Sequence, residues 1–360
     1  MTIEERVGQL LFIGLPGPEI DDAARSLLEE VKPGGVVLFD RNLESPAQVA
    51  ELNAAIRSIL PITPFISVDE EGGRVDRLKK IFAPLPSASS IRRADDTSLA
   101  ARHGELTAEL LRLLGFNMNF APVLDLEVYP DAPNALPERY FGATTAEVIR
   151  FAGSYLEGLQ RGGIAGCGKH FPGLGDSTVD SHETLPTVER SGELLRSDDL
   201  RPYVELTTRL NARLDVVMVA HAYYPAFDGQ ERIPASLSPN VVTTLLRDEL
   251  GFRGLSISDD MEMGAIASSF DFGDACIRAI EAGEDMILVC QTADRVREAF
   301  EALVKASVDN RITPNRRKRC LDRIAKVKAE LSTPLQYSES ALARVQEKVL
   351  ALSAQVSRAF

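Results

Sequence analysis

The chain has 360 residues, of which 44% are hydrophobic and 26% are charged, and this is the composition of an ordinary globular protein. The length allows either one large domain or two, because barrels of alternating strands and helices often reach about 250 residues or more as a single unit. Its 40 basic and 53 acidic residues give a formal charge of −13, which disfavours nucleic acid and anionic membranes as partners.

The amino-terminal segment does not have the pattern of a secretory signal. Residues 1–6 include acidic side chains where a signal would carry a basic segment followed by an apolar run. No apolar run approaches the roughly 18 residues that are needed to cross a bilayer. We therefore expect a cytoplasmic protein without a membrane partner.

Eight short apolar runs have the length and composition of buried strands. In chain order they are residues 9–13, 35–39, 65–68, 118–123, 164–168, 216–220, 255–258 and 286–289. Segments with apolar residues at helical spacing lie between them, among them 98–114, 146–161, 239–250 and 272–282. This alternation predicts an α/β fold, a (β/α)8 TIM-type barrel, and an open doubly wound sheet is the structural alternative.

The barrel pattern predicts a single catalytic domain over residues 1–360. Residues 1–330 form its predicted core, and helical periodicity continues through 331–360 as a C-terminal extension. A basic cluster at residues 315–319 lies at a predicted helix start, and we interpret it as a solvated helix face rather than a nucleic-acid site.

The four cysteines are Cys167, Cys276, Cys290 and Cys320. They form no CxxC pair and have no histidine at zinc spacing, and each lies in an apolar or helical context. This pattern predicts reduced thiols in the core.

Ionisable side chains end or follow five of the predicted strands. Catalytic groups in a barrel of this type come from the C-terminal ends of several strands. The coincidence over five strands therefore predicts a shared pocket. In chain order, the first ionisable residues after these five strands are Asp69, Asp125, Lys169, His221 and Asp259.

The segment from Lys169 to His182 has the highest density of chemistry-bearing residues. It contains two of the four histidines, a lysine and acidic residues among Gly and Pro. Gly and Pro are typical of loops, and the apolar run before Lys169 is typical of a strand. We therefore expect this loop to deliver polar groups to a cleft.

Cofactor motifs are missing from the sequence. The Gly-rich segments lack the strand, GxGxxG and helix arrangement of a dinucleotide site, and no P-loop is present. No HxH or HExxH spacing places two imidazoles on one metal ion. We predict neither a cofactor nor a metal, which leaves carboxylate and imidazole chemistry.

A retaining glycosidase needs a carboxylate nucleophile and a proton donor on opposite sides of the sugar. Asp259 ends a predicted strand, which would hold such a nucleophile rigidly. As an alternative, Asp259 caps the helix that follows, since Asp is a favoured N-cap. His221 is expected to be either a structural hydrogen-bonder or a site residue, and Asp125 is expected to orient its neighbours. Phe141 and Phe171 are expected to pack beneath the pocket.

Several segments, taken together, resemble glycoside hydrolase family 3 in its bacterial β-N-acetylglucosaminidase branch. They occur in the expected order at residues 68–77, 119–125, 138–142, 169–182, 219–221 and 258–263. The most specific is the loop that ends in Asp180, Ser181 and His182, which other branches of the family lack.

The resemblance implies a retaining double displacement. Asp259 resembles the nucleophile, His182 the acid/base, and Asp180 the partner of that histidine. An imidazole with a pKa near 6.5 suits proton exchange at neutral pH, and a carboxylate fixes its tautomer. The expected ligands of the terminal sugar are Asp69, Arg77, Arg139, Lys169 and His170.

The resemblance also implies a substrate. We expect removal of terminal β-linked N-acetylglucosamine, with a muropeptide from cell-wall recycling as the natural source. The enzymatic alternatives are a glycoside phosphorylase and a β-glucosidase, and the non-enzymatic one is a sugar-binding sensor. Two positions depart from the family pattern: Leu174 replaces a histidine, and Tyr140 replaces a smaller residue. We expect them to alter contacts beyond the first sugar rather than catalysis.

Overall fold

The computed structural model describes residues 1–130, 134, 136–177, 179, 184–209 and 213–359. All eight predicted strands are present, and an additional short hairpin follows the third. The strands are β1 (Leu11–Gly14), β2 (Gly35–Val37), β3 (Phe65–Ser67), β4 (Glu70–Gly72), β5 (Val75–Asp76), β6 (Met118–Asn119), β7 (Ala165–Phe171), β8 (Val216–Val219), β9 (Leu255–Asp260) and β10 (Met286–Val289).

The eight long-range strands form a closed parallel barrel. Their order is β3, β2, β1, β10, β9, β8, β7 and β6. The two ends of this order meet, because the amide of Asn117 donates to the carbonyl of Ile66 at 3.1 Å and that of Phe120 donates to Val68 at 3.0 Å. The predicted (β/α)8 barrel is confirmed, and the open doubly wound sheet is wrong.

Several strand boundaries differ from the prediction, and the changes in β6 and β7 affect the pocket. β6 ends at Asn119, well before the predicted residue 123, and Pro122 has no N–H to donate to a ladder. β7 continues to Phe171, so Lys169 and His170 belong to the strand rather than to the following loop. Backbone hydrogen bonds to Pro122 and Leu124 hold Lys169, whereas the amide of His170 donates to the side chain of Asp125.

Helices connect the strands and cover the barrel. In chain order they are α1 (Ile3–Gly8), α2 (Asp22–Val31), α3 (Pro46–Ile59), α4 (Ala88–Arg93), α5 (Thr97–Leu113), α6 (Thr145–Arg161), α7 (Gly192–Leu194), α8 (Arg201–Thr208), α9 (Pro225–Asp228), α10 (Gly264–Ala267), α11 (Phe272–Ala282), α12 (Ala293–Val308), α13 (Pro314–Ala329) and α14 (Glu339–Arg358). Leu195–Asp199 and Asn240–Glu249 are π-helical, so the helix predicted at 239–250 is present with wider hydrogen bonding. Short 3₁₀ turns occur at Asp40–Asn42 and Ala235–Leu237.

The pair α5 and α6 illustrates how local sequence sets the packing. Thr144 and Glu147 form a capping box that starts α6. Glycines on both helices then allow close approach, since a Cβ on Gly104 would lie 2.0 Å from the carbonyl oxygen of Tyr155. A Cβ on Gly158 would lie equally close, 2.0 Å from the carbonyl oxygen of Ala101. Larger residues at these positions would force the helices apart.

The C-terminal helix α14 packs on α5 and α4. Its buried residues include Leu342 and Val349, and Lys348 Nζ forms an ion pair with Glu109 at 2.8 Å. The division into a barrel core and an extension at residue 330 stays a prediction.

The basic cluster at 315–319 is only partly a solvated face. Arg317 is 5% exposed, and Arg316 Nε donates to the carbonyl of Ile280 at 2.8 Å. Arg316 also faces the buried carboxylate of Asp285 at 3.4 Å. The prediction of a solvated face is therefore wrong for these two arginines. Arg316 is drawn in because a buried carboxylate requires cations around it, and Arg317 donates to the carbonyls of Ser307 and Ile312.

The four cysteines are buried and free, as predicted. Within the described ranges, no helix combines the length and the apolar character that crossing a membrane requires.

Glu284 precedes β10 and is completely buried. Burial raises its pKa to about 8, because the interior disfavours the charged form. The folded protein therefore keeps this carboxyl protonated at pH values at which the unfolded chain has released the proton.

The substitution Glu284→Gln should stabilise the protein at neutral pH. The free energy of unfolding of the wild type falls as pH rises from the unfolded pKa near 4.5 to the folded value of about 8. The variant lacks this loss, so its advantage should be absent near pH 4 and grow to about 4 kcal/mol at pH 8. Urea unfolding at pH 4, 6 and 8 measures it, with the exposed Glu301→Gln as control. An advantage that does not change with pH would contradict the prediction.

Candidate active site

A pocket of about 620 Å³ opens at the C-terminal ends of the barrel strands. It brings together six of the eight residues that the sequence predicted as site residues. These six line the pocket and are Asp69, Arg77, Arg139, Lys169, His170 and Asp259.

Lys169, at the end of β7, is the centre of a charge network. Its side chain is 2% exposed, and Nζ lies 2.6 Å from Asp69 Oδ1 and 2.7 Å from Glu71 Oε1. Glu71 also accepts two hydrogen bonds from Arg139, at 2.8 Å from Nε and 2.9 Å from Nη2. One buried carboxylate therefore holds two of the cations that were predicted to bind the sugar.

Glu71 was not predicted as a site residue. Its position two residues after Asp69 could have indicated a site residue. Its two hydrogen bonds with Arg139, however, depend on a segment 68 residues away in the chain. Burial acts to raise its pKa, but Arg139 and Lys169 outweigh that effect and lower it to about 2. The pKa of Lys169 is raised by Asp69 and Glu71 against the opposing effect of burial. Both cations therefore stay charged and present N–H donors to the pocket.

His170 is oriented by Asp125, which follows β6. Its Nδ1 lies 2.7 Å from Asp125 Oδ2, so the carboxylate fixes Nδ1 as the donor in the neutral ring. The same carboxylate accepts the backbone amide of Leu174 at 2.7 Å. Asp125 therefore acts as the orienting residue that was expected, and it leaves His170 Nε2 facing Arg139 Nη2 at 3.5 Å.

Asp259 lies near the end of β9 and borders the pocket. Its Oδ1 accepts the amide of Asp260 at 2.8 Å. The next helix begins at Gly264, with Met263 as its N-cap residue. Asp259 therefore does not cap that helix, and this alternative is wrong.

The remaining predicted residues have several roles. Arg77 borders the pocket and faces Asp40 at 3.6 Å and Asp69 at 3.9 Å. His221 is fully buried and bonds to Ser236 and to the backbone of Asp260, so it is a structural hydrogen-bonder.

The phenylalanines pack as expected. Phe171 is fully buried against Tyr203, and Phe141 is 3% exposed beside Tyr155.

The two departures from the family pattern lie at or beneath the pocket. Leu174 is 7% exposed and lines it. Tyr140 is 2% exposed, and its hydroxyl lies 3.5 Å from Nδ2 of Asn134, which also donates to the carbonyl of Ser177 at 2.7 Å. Asp180 and His182 lie outside the described residues, so their predicted roles stay predictions.

The fold and the pocket together define a class of protein. A barrel whose strand ends present carboxylates and charged N–H donors around an open pocket has the groups that grip sugar hydroxyls. A strand-held carboxylate in the same pocket adds a group that can react with the sugar. These features define a carbohydrate-active barrel enzyme.

Comparison with known proteins identifies the family. The model described as "Glycosyl hydrolase family 3 N terminal domain" matches residues 2–327. The chain therefore belongs to glycosyl hydrolase family 3 and is a glycoside hydrolase.

Similar proteins and structures agree with this assignment. A beta-hexosaminidase of Idiomarina loihiensis is 37% identical over 301 residues, which cover 82% of this chain and 88% of that protein. A beta-hexosaminidase of Pseudomonas aeruginosa is 38% identical over 302 residues, covering 83% and 87%. The structure of a family 3 β-N-acetylglucosaminidase from Paenibacillus sp. has a TM-score of 0.92 at 36% identity, covering 99% of this chain and 69% of that chain.

The substitution Glu71→Gln should destabilise the protein, because it leaves Arg139 and Lys169 buried without their shared carboxylate. We expect a loss of about 3 kcal/mol at pH 7. The low pKa of Glu71 stabilises the wild type above the unfolded value near 4.5, and this contribution is lost as pH falls toward about 2. The difference between wild type and variant should therefore shrink between pH 5 and pH 2.

Urea unfolding at pH 7, 4 and 3 tests this expectation. Glu105→Gln is the control, because Glu105 forms more exposed ion pairs with Arg102 and Arg161 and should cost at most about 1 kcal/mol. Equal losses in the two variants would show that Glu71 does not hold its cations as argued.

Proposed function

We propose that this protein is a retaining β-N-acetylglucosaminidase that removes terminal β-linked N-acetylglucosamine through a glycosyl-enzyme intermediate. The observation that carries the proposal is the position of Asp259, a carboxylate held by a strand in the same pocket as Lys169 and Arg139. The names of the similar proteins support the choice of sugar, since they are beta-hexosaminidases and a β-N-acetylglucosaminidase.

In the proposed first step, a carboxylate oxygen of Asp259 attacks the anomeric carbon. The bond from that carbon to the leaving oxygen breaks, and His182 gives its proton to that oxygen. The sugar is then covalently attached to Asp259 with its configuration inverted.

In the proposed second step, His182 takes a proton from water as the water attacks the anomeric carbon. The bond to Asp259 breaks, and the second inversion restores the β configuration. Asp180 stabilises the imidazolium that is present before the first proton transfer and after the second, and it fixes the tautomer of the neutral imidazole between them.

The groups around Lys169 are proposed to bind the terminal sugar before it reacts. Asp69 accepts hydrogen bonds from hydroxyls, whereas Arg77, Arg139 and Lys169 donate to them. His170 can accept a hydrogen bond from a hydroxyl at Nε2, because Asp125 holds Nδ1 as the donor in the neutral ring. A sugar bound by several fixed groups is oriented for attack, which lowers the entropic part of the barrier.

We further propose that the natural substrate is a muropeptide, in which N-acetylglucosamine is joined to an anhydromuramoyl sugar, and that the enzyme acts in the cytoplasm. The support for this is the resemblance to the bacterial branch of the family. The proposal places the protein in cell-wall recycling.

Hydrolysis of a chromogenic 4-nitrophenyl β-N-acetylglucosaminide tests the proposed reaction. Asp259→Ala should lower kcat by about 10⁴-fold or more, because the covalent route is lost. His182→Ala should lower kcat by about 10²-fold or more on a disaccharide, whose leaving oxygen needs a proton. Asp294→Ala is the control, because that side chain is fully exposed.

The anomer that forms first, followed by NMR, distinguishes retention from inversion. Turnover that depends on phosphate would assign the protein as a phosphorylase, and faster cleavage of the glucoside would assign it as a β-glucosidase. Binding without turnover of either glycoside would favour the sugar-binding sensor.

A further inference from the structure

The strand that carries Asp259 contains an extra residue at that point. Ile257 pairs with Met286 and Asp260 pairs with Leu288, so three steps along β9 match two along β10. Such an insertion is a β-bulge, which re-aims a side chain. Consecutive side chains in a regular strand point to opposite faces, but here both Asp259 and Asp260 line the pocket. The bulge therefore changes where the Asp259 carboxylate points.

Asp260 links the bulge by hydrogen bonds to the end of the neighbouring strand β10. Its side chain is 8% exposed, and Oδ1 accepts the amides of Glu262 at 3.1 Å and Cys290 at 3.3 Å. Its Oδ2 accepts Nε2 of Gln291 at 3.1 Å. Because Cys290 and Gln291 directly follow β10, these hydrogen bonds join the ends of the two strands.

His221, which lies two residues after β8, forms a hydrogen bond with the same residue from the opposite side. Its Nε2 lies 3.0 Å from the carbonyl oxygen of Asp260. A carbonyl only accepts, so Nε2 carries the hydrogen, and in the neutral ring Nδ1 accepts from the hydroxyl of Ser236 at 2.7 Å. Asp260 is thus anchored to both strands that flank β9.

The anchoring reaches Asp259 directly, because the amide of Asp260 donates to Asp259 Oδ1 at 2.8 Å. We propose that Asp260 and His221 are positioning residues that hold the bulge and so aim the Asp259 carboxylate at the reacting carbon. The inference rests on the proposed function, in which Asp259 is the nucleophile. Both residues act through Asp259 rather than on the sugar.

Steady-state kinetics of Asp260→Ala and His221→Ala test the inference. A displacement of about 1 Å in a reacting group can cost about 10²-fold in rate, so kcat should fall by about that factor while KM changes by less than about threefold. The control is Asp228→Asn, which alters another buried carboxylate that bonds to Ser238 and Asn240 outside the pocket. Its kcat should equal that of the wild type.

Two conservative variants separate positioning from loss of folding. Asp260→Asn keeps an oxygen that can accept the amides of Glu262 and Cys290, and it should retain about tenfold more activity than Asp260→Ala. His221→Gln keeps a side-chain N–H donor and should likewise exceed His221→Ala. The double variant Asp260→Ala/His221→Ala should be about as slow as either single one, because both anchors act on one bulge.

Unchanged kcat in the alanine variants would overturn the inference. A rise in KM at constant kcat would also overturn it, because Asp260 would then be a sugar ligand. If the wild type is inert on β-N-acetylglucosaminides, the proposed function fails on its own account. Crystal structures of wild type and Asp260→Ala then decide the inference without turnover. A shift of the Asp259 carboxylate by about 1 Å supports it, and coincident carboxylates overturn it.

Discussion

The buried carboxylate of Glu71 is the interaction on which the pocket depends. It joins Arg139, which lies between β6 and α6, to Lys169 at the end of β7. Glu71 itself belongs to the hairpin after β3, so three separate parts of the chain meet at one anion. A buried charge without partners is costly, so both cations require the carboxylate of Glu71, and Glu71 requires a cation beside it. The pairing holds the cations in place before any substrate arrives.

Other side chains around the pocket are also held in place by hydrogen bonds to a buried carboxylate. Asp125 orients His170, and Asp260 receives hydrogen bonds from the end of β10 while its amide reaches Asp259. In each case a carboxylate that is almost buried takes up backbone or side-chain donors. Polar groups whose positions are set in advance lose little entropy when they act on a substrate, which is how a site of this kind promotes a reaction.

Burial also gives the two carboxyl groups at the end of β9 different environments. Asp260 is 8% exposed, and burial raises its pKa to about 6. Asp259 lies one residue earlier and is more exposed to the pocket. Two carboxyl groups that are adjacent in sequence therefore differ in burial and in hydrogen-bonding partners at the bulge.

Much of the fold was predictable from local sequence, because alternating apolar runs and helical spacing are properties of neighbouring residues. The eight strands and the positions of Asp69, Lys169 and Asp259 at their ends followed from that pattern.

The charge pairs could not be predicted in this way, since Glu71 and Arg139 are 68 residues apart and only barrel closure brings them together. The bulge at Asp259 depends on register between strands, and the burial of Arg316 depends on Asp285. The order of the elements and the residues at the strand ends thus follow from local sequence. Which charges pair and where each side chain points follow from the folded barrel, because pairing and register arise between distant segments.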